Sequence, residues 1–254
     1  MRTLALLLVH AAAASSNWAG YAVTGSTFTD VKGTWVQPAV TCPARGSTYS
    51  AFWVGLGGYA GGNGGLEQIG TESNCFDGQP AYDAWYELLP AGSVQVPMDI
   101  SPGDTMAAEV IVTDPTVTLT ITDVTNGETF TTQQTPSTLD TSSAEWIAEA
   151  PAQCFGSRCF ALQLANFGTV PFSGSSTTAS GHVGTISDES WSATSIELAG
   201  RGGSASPAAL SPDGSGFTIA FSQPQQVMVV QTPKAKPKAK PKPKPKLRLK
   251  HKKR

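Results

Sequence analysis

The chain has 254 residues, and its formal net charge of −2 conceals two unlike parts. Up to Pro233 five Lys and Arg stand against nineteen Asp and Glu, a charge of −14, whereas residues 234–254 carry twelve basic side chains and no acid. That length suits one large all-β domain or two small ones. No apolar run reaches the roughly 20 residues of a membrane-spanning helix, and three histidines leave little for metal or triad chemistry.

In chain order the first element is Arg2, an apolar run Leu4–Val9 and the small residues Ala11–Ala14. That sequence reads as a short secretory signal over residues 1–14, with small side chains where a signal peptidase cuts; a frayed N-terminal strand is the competing reading. Residues 15–232 then read as one domain of strands and turns. The strand-like runs are Val31–Val36, Ala51–Leu56, Leu66–Gly70, Ala81–Leu88 and Ala107–Val112. Val117–Thr122 alternates apolar and polar residues, Asn126-Gly127 supplies a φ > 0 turn, and Glu128–Gln133 returns, forming the clearest hairpin. Further runs are Ala144–Glu149, Ala161–Ala165, Ser195–Leu198, Phe217–Phe221 and Val227–Val230. β-Branched and aromatic residues fill these runs, and Gly, Pro, Ser, Asn and Asp separate them. No segment holds a long 3.6-residue period. The expected fold class is all-β, a sandwich of two antiparallel sheets.

Cys154 and Cys159 flank a four-residue loop and close a small ring, which pairs Cys42 with Cys75 by elimination. Paired cysteines suit an exported chain. A four-cysteine zinc site needs two close pairs, and Cys42 and Cys75 do not form one. Residues 233–254 alternate Lys with Pro and Ala; proline-rich, like-charged sequence has no core to bury and reads as a disordered basic tail. Such a tail would hold a secreted protein on an anionic cell wall, a membrane surface or another polyanion, or serve only to solubilise it. A specific nucleic acid is not expected as a partner, and a monomer is. The lysine-poor body loses its self-repulsion as carboxylates protonate, which suits an acidic workplace; low lysine content is also common in secreted β-proteins at any pH.

Most hydrolytic chemistries lack their residues. His10 lies in the signal and His251 in the tail, so a Ser-His-Asp triad would have to use His182. The paired cysteines leave no thiolate, and Lys32 is the only lysine before the tail. The glycine-rich run 57–65 is not followed by Lys-Ser/Thr and is no phosphate loop. Asp140-Thr141-Ser142 resembles one half of an aspartic peptidase site, but no second copy exists. Carboxylates and amides remain.

Five separated stretches then act together: Ser16-Asn17-Trp18-Ala19-Gly20, Trp53-Val54-Gly55, Leu66-Glu67-Gln68-Ile69-Gly70, Tyr82-Asp83-Ala84-Trp85-Tyr86-Glu87 and Ala144-Glu145-Trp146-Ile147-Ala148-Glu149. Together they resemble the glutamic peptidases (eqolisins), acid-acting endopeptidases. The resemblance covers most of the body, through the Cys154–Cys159 ring towards Phe172. It implies a concanavalin A-like, jelly-roll sandwich with a substrate groove across one sheet. It also implies Gln68 and Glu149 (not Glu145) as the catalytic pair, with no metal or cofactor required. The Trp-Val-Gly strand continues Leu56-Gly57-Gly58 where fungal members tend to carry an acidic residue, and Leu88-Leu89 stands where aromatics are common. Those departures bear on subsite preference and pH optimum.

The chemistry is sound on its own terms. Strand alternation puts Asp83, Trp85 and Glu87 on one face, where they fit a groove better than a dry core. Peptide hydrolysis needs a base for water, an acid for the amine and a donor for the oxyanion. A carboxylate performs both proton transfers in turn, and a glutamine NH2 donates without titrating. Trp53, Asp83, Trp85, Glu87 and Trp18 are then expected to bind substrate. Two rivals share the residues: a glycoside hydrolase using Glu87 with Glu149, and a sugar-binding lectin stacking Trp53 and Trp85 on its ligand.

Overall fold

A computed structural model describes residues 12–59, 63–155 and 158–223. Residues 1–11 of the signal reading, the run Val227–Val230 and the basic tail lie outside the described residues. The strands, in order, are β1 (Ala13–Ser15), β2 (Trp18–Thr24), β3 (Phe28–Val36), β4 (Ser47–Thr48), β5 (Ala51–Leu56), β6 (Glu67–Phe76), β7 (Gln79–Leu88), β8 (Val94–Val96), β9 (Thr105–Thr113), β10 (Thr116–Asp123), β11 (Thr129–Gln134), β12 (Ser143–Glu149), β13 (Ala152–Phe155), β14 (Arg158–Ala161), β15 (Thr169–Ala179), β16 (His182–Thr185), β17 (Ser192–Gly200), β18 (Gly203–Pro207) and β19 (Phe217–Ser222). No helix occurs among the described residues.

One layer runs β17–β2–β12–β5–β6–β7–β8 and the other β11–β10–β9–β3–β15–β19, with β18 bridging β17 to β19. Every pairing within these layers is antiparallel. The short β1, which overlaps the end of the signal reading, pairs parallel with β17. The facing sides of the layers supply one apolar core. Tyr21, Phe52, Val54, Ile69 and Trp146 of the first layer meet Val31, Trp35, Met106, Leu119 and Phe172 of the second. The expected hairpin forms with Leu119 opposite Thr132 and Ile121 opposite Phe130. The expected all-β sandwich of jelly-roll type is the fold observed.

Some boundaries differ. Ala161–Ala165 is no strand: β14 ends at Ala161, and Leu164 and Asn166 make only isolated bridges to Tyr49 and Thr41. β15, the longest strand, is absent from the expected runs because Ser, Thr, Gly and Pro dominate it. It is held from both sides, by β3 and β19, so pairing overrides its weak propensity. Both disulfides form as expected, Cys42–Cys75 and Cys154–Cys159. The second joins directly opposed residues of the β13–β14 hairpin, which follows β12 after Ala150 and Pro151.

Within the first layer and beside it lie carboxyls that have no cation among the described residues. Glu67 and Glu145 are wholly buried and Asp140 nearly so. Glu67 Oε2 and both Glu145 oxygens lack a hydrogen-bond partner. Among the described residues the ion pairs are Lys32–Glu109 and His182–Asp188, neither involving these acids. Burial therefore pushes Glu67 up from 4.5 to about 8 and Glu145 well above its ordinary value. Such groups bind protons more tightly folded than unfolded. Their contribution is complete below about pH 4.5 and is lost as pH rises towards about 8. The melting temperature is therefore expected to fall between those limits, and Glu67→Gln with Glu145→Gln to flatten the fall. Calorimetry across that range checks it; a pH-independent wild-type melt would contradict it.

Candidate active site

Sheet register builds the site in three parallel rows across the outer face of β2, β12, β5, β6 and β7. The first row is Trp18, Glu149, Ala51, Glu72, Asp83; the second is Gly20, Ile147, Trp53, Gly70, Trp85; the third is Ala22, Glu145, Gly55, Gln68, Glu87. The middle row is the apolar floor, where Ile147, Trp53 and Trp85 pack together with Trp18 against them. Gly70 lets the two indoles share that row. A Cβ there would lie 2.2 Å from the Phe52 carbonyl oxygen and 2.6 Å from Trp53 Cβ.

The first and third rows are four residues apart along a strand, roughly 13 Å. Gln68 and Glu149 nevertheless line one cavity of about 100 Å³, together with Glu72, Trp85, Glu87 and Ser93. That space admits a few waters or one peptide group. A longer chain would have to lie across the face above it.

Each candidate side chain is held. Asn17 Nδ2 donates to Glu149 Oε1 at 3.0 Å, and Trp53 Nε1 donates to Oε2 at 2.8 Å. Gln68, 3% exposed, donates from Nε2 to Glu87 Oε2 at 2.7 Å. Burial pushes Glu149 up from 4.5 to about 7, against the lowering effect of the Trp53, Asn17 and Trp18 donors; the charge of Glu87 adds to the rise. Glu87 is also raised, first by burial, while hydrogen bonds from Gln68 and the Ser93 backbone oppose the rise. Glu72 is raised by burial and by Asp83 and Glu87, with Asn74 opposing. None of the four described Lys and Arg side chains (Lys32, Arg45, Arg158, Arg201) lines this cavity.

The remaining expected residues are placed differently. Trp53 is wholly buried beneath the face, with its ring edge-on to Trp18 at 4.9 Å between centroids. Its reach is to Glu149. Asp83 accepts a hydrogen bond from Gln95 Nε2 at 2.6 Å and opens onto a neighbouring cavity with Asp99 and Glu128. Asn17, Glu72 and Ser93 were absent from the expected set. Asn17 precedes β2 and Ser93 lies in the turn after β7, so no strand alternation points to either.

Replacing Trp53 by Phe removes a donor that favours the charged carboxylate, so the Glu149 pKa should rise above about 7 by roughly one pH unit. A ¹³C carboxyl titration, assigned with Glu149→Gln, reads this directly. No rise, or a fall, would show that Trp53 does not hold the carboxylate.

The chain matches the profile of the Peptidase A4 family over residues 16–219. It is similar to aspergillopepsin-2 of Aspergillus niger, 29% identical over 190 residues, which span 66% of this chain and 66% of that protein, just under two thirds of its length. Scytalidopepsin B of Scytalidium lignicola is 29% identical over 187 residues, 70% of this chain and 69% of that protein. Among solved structures, scytalido-glutamic peptidase with a peptide-based transition-state analog superposes with a TM-score of 0.69 at 25% identity, covering 82% of this chain and 99% of that one. With the profile match spanning most of its length, the chain belongs to the Peptidase A4 family, a family of peptidases.

Proposed function

We propose that this chain is a secreted endopeptidase that hydrolyses peptide bonds in acid, with Gln68 and Glu149 as its catalytic pair. The observation that carries the reading is that an untitrating amide and a carboxyl, 81 residues apart in sequence, line one small cavity. In the cycle, ionised Glu149 takes a proton from water as the water oxygen bonds to the scissile carbonyl carbon. The carbonyl oxygen becomes an oxyanion, which Gln68 N–H stabilises. Glu149 then passes the same proton to the amide nitrogen, the C–N bond breaks, and acid and amine products leave. A carboxylate raised to about 7 is a stronger base than an exposed one, and its conjugate acid still gives up the proton near that pH.

Acid operation is supported by the crowding of Glu72, Glu87 and Glu149 without a cation. Like charges so close cannot all ionise cheaply. Glu149 must be charged while its neighbours hold protons, and such groups titrate as a unit. Activity should therefore rise and then fall with pH, and the two limbs belong to the carboxyl cluster rather than to Glu149 alone. Export is supported by the disulfides and by the N-terminal apolar run. The basic tail then attaches the enzyme to an anionic surface. The lectin reading loses its support, because Trp53 is 0% and Trp85 7% exposed and neither ring is free to stack on a sugar.

The test is proteolysis of denatured protein between pH 3 and 8 with pepstatin present to exclude aspartic contaminants. Gln68→Ala should lose roughly 10²–10³ in kcat, the scale of one oxyanion donor, and Glu149→Gln more. Near-wild-type cleavage by either variant would refute the pair.

A further inference from the structure

The Gln68 amide is only half satisfied. Its Nε2 donates to Glu87, yet its Oε1 is buried with no partner in the structure. Gln68 and Glu87 are direct cross-strand partners, so neither can move away from the other without disturbing the sheet. What Glu87 can offer depends on its proton. As a carboxylate it only accepts; protonated, it also has one O–H to donate. An amide answers that change by a half-turn that exchanges Oε1 and Nε2, with no movement of the backbone.

We propose that Glu87 is a positioning residue that sets which end of the Gln68 amide faces the scissile bond. With its proton on, Glu87 donates to Oε1 and fills the vacant acceptor, and the Nε2 hydrogens turn towards the site of the oxyanion. With its proton off, Glu87 captures Nε2 and leaves Oε1 facing the substrate carbonyl oxygen, where two acceptors oppose each other. The catalytically useful state is therefore the acid one.

The groups that face Glu87 all push in the same direction. They are Glu72 on β6 and Glu149 on β12; Asp83, four residues away on its own strand, opens onto the neighbouring cavity, and the turn carrying Ser93 contributes a backbone N–H and no charge. Ionisation of either neighbouring carboxyl makes Glu87 hold its proton more tightly. The productive distribution of protons in this cluster, which titrates as a unit, is ionised Glu149 beside protonated Glu87, supplying base and oriented donor together. The inference rests on the Gln68/Glu149 reading and deepens it, since it assigns the loss of activity at rising pH to a particular side chain.

The experiment is the pH dependence of kcat and KM on a fluorogenic peptide for wild type, Glu87→Gln and Glu87→Leu, with rates normalised to the folded fraction. Glutamine can donate to Oε1 but cannot titrate, so Glu87→Gln should lose the basic limb of the kcat profile that wild type shows. Leucine offers no partner, and Glu87→Leu should fall about tenfold or more in kcat below Glu87→Gln at the same pH, with KM moving far less. A basic limb unchanged in Glu87→Gln, or equal kcat in the two variants, would overturn the proposal. If Glu87→Leu does not fold, the limb in Glu87→Gln decides alone. Activity surviving in Gln68→Ala would instead overturn the catalytic pair, whereas inactive pair variants with an unaltered basic limb in Glu87→Gln would overturn only the role given to Glu87.

Discussion

Cross-strand register in β12–β5–β6–β7 is the constraint on which everything else depends. It opposes Glu149 to Ala51 and Glu72, and Gln68 to Gly55 and Glu87, while Trp53, Gly70 and Trp85 occupy the row between. A slip of one residue in any of these strands would turn its polar row into the apolar core and its core residues outward. Trp53 and Trp146 guard against that slip from opposite faces. Trp53 is buried in the floor of the site, and Trp146 in the core between the layers, where its indole N–H donates to the Lys32 carbonyl at 2.8 Å.

The same arrangement sets the electrostatics. The acidic side chains gathered in and beside β5, β6, β7 and β12 are Glu67, Glu72, Asp83, Glu87, Asp140, Glu145 and Glu149. Neither described ion pair reaches them. Protons take the place of counterions. They keep the buried Glu67 and Glu145 neutral, which links folding to pH, and the carboxyls of the cavity are raised as a group. A body of charge −14 is thus not merely tolerant of acid. Its buried groups are compatible with the fold because they are protonated.

Much of this was legible along the chain. The strand-like runs located β7, β9, β10, β11 and β17 within a few residues, because half-buried strands must alternate, whereas β5, buried along its whole length, was located by its apolar and aromatic content. Cysteine spacing identified Cys154–Cys159, and elimination then paired Cys42 with Cys75. β15 was not legible, since Thr, Ser and Gly carry little apolar signal and its order comes from neighbours distant in sequence. The face shared by Trp85 and Glu87 could also be read from alternation, but the depth of Trp53 could not. Periodicity assigns a side chain to a face and says nothing of what covers it.

By itself the sequence determined an all-β chain, the residues able to do chemistry and, by the shortage of His, Lys and free Cys, the classes of chemistry open to it. Only the tertiary structure decided that Asn17 and Trp53 hold Glu149, that Gln68 donates to Glu87, and that Glu67 and Glu145 are buried without cations. The physical reason is that propensity and alternation act within a few residues. Hydrogen bonds spanning 132 or 96 positions, and the loss of solvent that shifts a carboxyl, exist only once the strands have paired.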